Sequence, residues 1–239
     1  MKKSISILLA LAFGLFNILF AQKASLPLSL YSSPDTTKPI IFYVSGDGGF
    51  NKFSTSFMQT LNKQGYAVIG LNAKDYFWTR RKPKEAAVAI EAAIDESNKQ
   101  WKRSNIVLIG YSFGADVAPF MLTNFSPALA LKVTRLILLS PSPKTDFEVH
   151  VMQMLGWGNS SGESVPAEIN KIIKPVVFIV GDDEKEFPFS QLTIKNKEII
   201  KMPGGHHYDG DVNALSKQIV AQIKWIPSYI LVELSPQIT

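Results

Sequence analysis

Cysteine is absent from the chain, and histidine occurs only three times. Without cysteine no disulfide can form, so the fold has to hold by packing alone. The same absence excludes a lipid-modified cysteine after the apolar N-terminal run. Basic residues are plentiful but dispersed; Arg80-Arg81-Lys82 with Lys84 is their only dense cluster. A chain with no longer basic stripe gives little support to nucleic-acid binding. Internal repeats and low-complexity segments are missing. So are metal-ligand clusters of familiar spacing and the glycine spacing, with its following acid, that binds dinucleotides. Neither a metal nor an organic cofactor is therefore expected.

What is present begins with a targeting pattern. Lys2 and Lys3 precede an apolar run from Ile5 to Ala21, interrupted only by Ser6, Gly14 and Asn17. The run is short for a bilayer span and has the basic start and small-residue end of a secretory signal. Cleavage after Ala21 is expected, leaving residues 22–239 as a single mature domain. Leu19 is large for the −3 position, which keeps an uncleaved anchor open as the alternative. Loss of Lys2 and Lys3 lowers the formal charge from +5 to +3. That mild excess suits contact with an anionic membrane surface or acidic partners.

Downstream, apolar runs alternate with helical patterns. Strands are expected at Pro39–Val44, Ala67–Leu71, Asn105–Ile109, Leu136–Ser140, Pro175–Val180 and Glu198–Met202. Most are β-branched and apolar throughout, as strands buried on both faces should be. Helices are expected at Ser54–Lys63, Pro83–Trp101, Ser112–Asn124 and from Val212 to about Leu231. In the second, Ala86, Ile90, Ile94 and Trp101 share a stripe, while Glu91, Asp95 and Lys99 face away. The alternation predicts an α/β domain, a mostly parallel sheet covered by helices on both faces. Residues 141–170, which include Gly156-Trp157-Gly158, fit no period and read as either a lid over a site or a plain surface excursion.

Three corners carry chemistry. Gly110-Tyr111-Ser112-Phe113-Gly114 follows an apolar strand and opens a helix, where the nucleophile elbow of an α/β-hydrolase fold must sit. A serine hydroxyl is a poor nucleophile until a base takes its proton. Of the three histidines, His150 lies in the irregular stretch, while His206 and His207 sit together on a glycine-rich loop after the last strand. The chain order serine, acid, histidine demands a base in that place, and His206, directly after Gly204-Gly205, is the preferred base. The acid should come from the Asp182-Asp183-Glu184 run after the penultimate strand. Glu184 is favoured there, then Asp183, with Asp146 a further alternative. Ser45-Gly46-Asp47-Gly48-Gly49 follows the first core strand. The backbone N–H groups of Asp47 and Phe113 are candidates to hold an oxyanion.

Together, "FYVSGDGGF", "YFWTRRKPKEAA", "GYSFGADVAPF", "DFEVHV" and "PGGHHYDGD" resemble the bacterial virulence protein family of VirJ and AcvB. The resemblance runs from about Pro39 to the last helix. It implies a periplasmic serine hydrolase acting on aminoacylated phosphatidylglycerol, chiefly the lysyl ester, and for some members an association with type IV secretion-system components. Ser112 matches the family's elbow serine and His206-His207 its paired histidines; the acid matches only as a cluster. Longer members carry an additional N-terminal half, and functions that depend on it are not carried over.

A cationic aminoacyl group would want a carboxylate, for which Asp47 and Asp116 are candidates. Asp116 has a second reading as a hydrogen-bonder beneath the elbow. The rings of Tyr76-Phe77-Trp78, Trp78 among them, would either meet lipid or pack the next helix. Two rival functions remain: a general esterase or thioesterase on soluble acyl esters, and a non-catalytic hydrolase-fold protein serving virulence or secretion.

Overall fold

The computed structural model describes residues 26–150 and 162–224. In chain order the strands are β1 (Leu28–Tyr31), β2 (Ile40–Val44), β3 (Ala67–Leu71), β4 (Ile106–Tyr111), β5 (Val133–Leu139), β6 (Lys144–Thr145), β7 (Glu163–Ser164), β8 (Val176–Gly181) and β9 (Lys197–Met202). The helices are α1 (Lys52–Lys63), α2 (Ala73–Tyr76), α3 (Pro83–Trp101), α4 (Phe113–Asn124), α5 (Pro127–Lys132), α6 (Val165–Ile169) and α7 (Val212–Lys224). Seven strands form one sheet in the order β1-β3-β2-β4-β5-β8-β9, and β6 pairs separately with β7. Only β1 runs antiparallel, against β3; the other pairings of the large sheet are parallel. This is the α/β architecture expected from the alternating pattern.

The five residues of β2 are all buried, and so are those of β3. Successive side chains point to opposite faces, so each strand feeds two cores. Ile40, Phe42 and Val44 join Leu108, Leu136 and Leu138 beneath α3 and α4. Ile41 and Tyr43 join Val107, Ile109 and Ile137 on the face covered by α1 and α7. Pro83 sits in the first turn of α3, where its missing N–H costs nothing. Ala86, Ala87, Ile90 and Ile94 form that helix's buried stripe, and Trp101 packs at its edge.

Several expectations need correction. Glu91 does not face away: its carboxylate accepts from the amide of Ser126 at 3.0 Å and from the Ser126 hydroxyl, tying α3 to the start of α5. The edge strand β1 is an addition to the expected set, since four residues, with Leu30 exposed, make too short a period to read. Residues 141–170 are not featureless, because they contribute β6, β7 and α6. Gly156-Trp157-Gly158 lies outside the described residues, as do the expected signal segment and the end of the last helix.

Candidate active site

The corner between β4 and α4 forces Ser112 into φ 52°, ψ −123°, backbone space that L-residues seldom occupy. Both flanking glycines have steric work there. A Cβ on Gly110 would overlap the carbonyl of Gly114, and one on Gly114 would overlap the carbonyls of Val44 and Ser45. The turn therefore closes only with hydrogen at those two positions. The Ser112 amide is anchored to the Leu139 carbonyl at 2.9 Å, which fixes the elbow to the end of β5.

His206 arrives from the loop after β9. Its Nε2 lies 2.8 Å from Ser112 Oγ and its Nδ1 lies 2.7 Å from Glu184 Oε1. The sequence separates His206 from Ser112 by 94 residues, and parallel strands β4, β5, β8 and β9 bring them together at one sheet edge. Glu184 follows β8, and its second oxygen is also occupied. Oε2 accepts from the Ser140 hydroxyl at 2.6 Å and from the Gly181 amide at 2.7 Å. Ser140 in turn contacts the Tyr208 hydroxyl at 2.7 Å, and Tyr208 donates to the Ile179 carbonyl at 2.7 Å.

These contacts set the electrostatics. Burial alone would raise the Glu184 pKa, but the hydrogen bonds from His206, Ser140 and Gly181 outweigh it and hold the carboxyl below its ordinary range. Burial would likewise depress His206. Its bond to Glu184, with the charges of Asp116 and Asp47 nearby, overturns that and raises the imidazole above its ordinary value. Glu184 thus stays ionised beside the imidazole, an arrangement able to stabilise a positive charge on that ring.

The remaining expected residues divide. Asp183 is exposed, and only its backbone N–H is engaged, toward Gly204, so its carboxylate stands outside the hydrogen-bonded relay. Asp146 is also excluded from that place, because it bonds His150 at 2.6 Å and Arg80 at 3.4 Å. Asp116 is buried one turn into α4, and its Oδ1 accepts from the Ser142 amide at 2.5 Å. Burial pushes its pKa up to about 7 against that bond, the behaviour of a structural hydrogen-bonder beneath the elbow. Asp47 is half-buried on the glycine loop, and a Cβ on neighbouring Gly46 would lie 3.3 Å from Ser112 Cβ. Neither the Asp47 nor the Phe113 amide has an acceptor among the described residues.

His207 turns away from Ser112, its Nδ1 2.5 Å from the Tyr111 hydroxyl. That hydroxyl also donates to the His206 carbonyl at 3.2 Å. One phenolic proton serves one acceptor, so His207 donates from Nδ1 while Tyr111 donates to His206. Trp78 is 53 % exposed; the aromatic that meets the elbow is the adjacent buried Phe77, edge-on to Phe113 at 5.3 Å. Ser140, Tyr111 and Tyr208 also belong to the site, and no motif in the sequence marks them for these roles.

A cavity of about 700 Å³ opens on the His206–Glu184 side, between Ser140–Ser142 and the rings of Phe187 and Phe189. The described residues hold no group of three His, Cys, Asp or Glu placed for a metal ion. No described helix is long and apolar enough to cross a membrane.

A serine on a strand-to-helix elbow, an acid after the penultimate strand and a histidine after the last define an α/β-hydrolase fold. Solved structures agree. Est1E from Butyrivibrio proteoclasticus superposes with a TM-score of 0.55 at 17% identity, over 83% of this chain and 93% of that one. MenH from S. aureus gives 0.57 at 14%, over 82% and 97%. A lipase-esterase related protein from Clostridium acetobutylicum gives 0.57 at 16%, over 83% and 99%. Within that fold, the chain belongs to the VirJ family of bacterial virulence proteins, which matches residues 38–226. No curated protein matches it.

Proposed function

We propose that the protein is a serine hydrolase that cleaves aminoacyl esters of phosphatidylglycerol, through Ser112, His206 and Glu184. The hydrogen-bonded relay from Ser112 Oγ through both nitrogens of His206 to Glu184 carries this reading. In the first half-reaction His206 Nε2 takes the Ser112 proton as Oγ attacks the ester carbonyl. The oxyanion is held by the amides of Asp47 and Phe113. His206 then gives the proton to the ester oxygen as its bond to the carbonyl carbon breaks, so that the lipid leaves as the free alcohol and the aminoacyl group stays on Ser112. Water, deprotonated by the same imidazole, releases the amino acid and restores the serine.

The aminoacyl-lipid substrate is what the resemblance to the VirJ and AcvB proteins implies, and membership of the VirJ family is in keeping with it. The cavity beside the relay has an acidic excess suited to a cationic group on an apolar stem, since Asp183, Glu184 and Glu186 outnumber Lys185 in a lining that also holds Phe187 and Phe189. Asp116 is committed to Ser142, which leaves Asp47 as the candidate carboxylate still free to meet the ammonium. On this reading the mature chain works in the periplasm after removal of residues 1–21, at an anionic membrane surface. The basic cluster is partly compensated there. Arg80 pairs with Asp146 and Glu148, Arg81 lies over the Tyr76 ring, and Lys82 approaches Glu85 at 3.6 Å.

The test is hydrolysis in vesicles holding lysyl-phosphatidylglycerol, scored by release of lysine. Release by the wild type, and none by Ser112→Ala, is the expected result. Turnover of simple acyl esters or thioesters with no lysine release would assign a general esterase instead. Inertness toward all of them would assign a binding protein.

A further inference from the structure

The geometry points to Ser140 as a positioning residue that sets the orientation and basicity of Glu184 in this relay. The inference rests on the hydrolase reading above and deepens it. Ser140 directly follows β5, with φ 49°, and is 1 % exposed. Glycine would take that backbone conformation without the clash an L side chain brings. The chain nevertheless carries a hydroxyl there, and that hydroxyl donates to Glu184 Oε2 at 2.6 Å. A backbone outlier beside a reacting group, with a polar atom aimed at that group, points to function rather than to packing.

The residue is itself held. The Ser140 amide donates to the Ile179 carbonyl at 3.0 Å, and its hydroxyl oxygen lies 2.7 Å from that of the buried Tyr208. Tyr208 donates to the same carbonyl. The end of β8 thus supports both the serine and the tyrosine, two residues before the Gly181 amide that serves the same carboxylate oxygen. With Oε2 gripped by two donors, Oε1 is left to His206 and the carboxylate plane is fixed. Loss of the Ser140 proton donor leaves more negative charge on the carboxylate. The imidazolium is then stabilised further, and His206 gives up its proton at higher pH.

The groups bearing on this titration can be named. His206 faces Glu184, Asp116 and Asp47, and its ring lies against those of Tyr111 and His207. Glu184 faces His206 and the hydroxyl of Ser140, with Tyr208 and Tyr111 also within its field. Ser140 is the only one of these whose removal changes no formal charge and leaves every ring in place.

The experiment measures the rate of Ser112 labelling by a fluorophosphonate across pH, for the wild type, Ser140→Gly and Ser140→Ala. Both variants should label about tenfold more slowly or worse, as a loosened acid misplaces the base. Their half-point should move upward by about half a pH unit or more. Glycine and alanine should agree, although glycine relieves the backbone and alanine does not; if alanine fails to fold, glycine carries the test. A half-point that stays or falls in folded Ser140→Gly, with the wild type labelled, overturns this role and leaves the hydrolase reading intact. A wild type that does not label overturns both.

Discussion

Glu184 Oε1 stands 2.7 Å from His206 Nδ1, while His207, the next residue, gives its own Nδ1 to Tyr111. Two adjacent imidazoles therefore have unrelated roles. Of the two, only His206 bridges an acid and a hydroxyl, the arrangement that the proposed mechanism requires of its base.

Substitution of the pair should accordingly be unequal. His206→Gln should lower single-turnover acylation by about 10³-fold or more, whereas His207→Gln should stay within about tenfold of the wild type. Stopped-flow acylation with an activated ester measures both. Equal losses would mean that His207 also takes part in the chemistry.

The acidic run should show the same selectivity. Glu184→Gln keeps size and shape but cannot stabilise the imidazolium, so kcat should fall roughly 10²–10⁴-fold. Asp183→Asn should change kcat on an uncharged ester by less than about twofold, because its carboxylate is exposed and outside the relay. Steady-state kinetics on any turned-over ester decides between them.

Asp116 should appear in the pH dependence of stability. Its folded pKa is raised to about 7 from 3.8, mainly by burial, so its protonated form is the one the fold favours. Its contribution is then fully present below about pH 4 and is lost as pH rises through about 7. Asp116→Asn can still accept from Ser142 and carries no charge. It should match the wild type in urea unfolding near pH 4 and exceed it by roughly 2–4 kcal/mol at pH 8. A variant that is less stable at both pH values would show that the carboxylate itself is needed.

The elbow should not tolerate a single added methyl group. Gly114→Ala would push a Cβ into the carbonyls of Val44 and Ser45, backbone atoms that cannot rotate aside. A loss above about 3 kcal/mol, or failure to fold, is expected by thermal unfolding. Near-native stability would mean that the corner is looser than its geometry.

How much is legible in the sequence follows from where information is local. The elbow is readable because a strand, a glycine-flanked serine and a helix fall within sixteen residues, Asn105 to Phe120. The preference for His206 over His207 is readable from the preceding glycines. Choosing Glu184 from an acidic run rests on spacing alone, since what distinguishes it is a set of donors: Gly181 just before the run, and Ser140 and His206 from two other segments. Ser140 and Tyr208 are invisible for the same reason. Glu91 is misjudged because helical periodicity cannot anticipate that α5 brings Ser126 over that face. Strand β1 escapes notice because four residues are too few to establish a period; pairing with β3 is what defines it as a strand.

The central claim is that Ser112 is a nucleophile activated by its own fold. Intact-mass and peptide analysis after exposure of the native protein to a fluorophosphonate tests it most directly. The expected result is one adduct, on Ser112, absent from Ser112→Ala and from His206→Gln and lost when the protein is unfolded before exposure. An unlabelled native protein, or an adduct on another residue with Ser112 untouched, would contradict it.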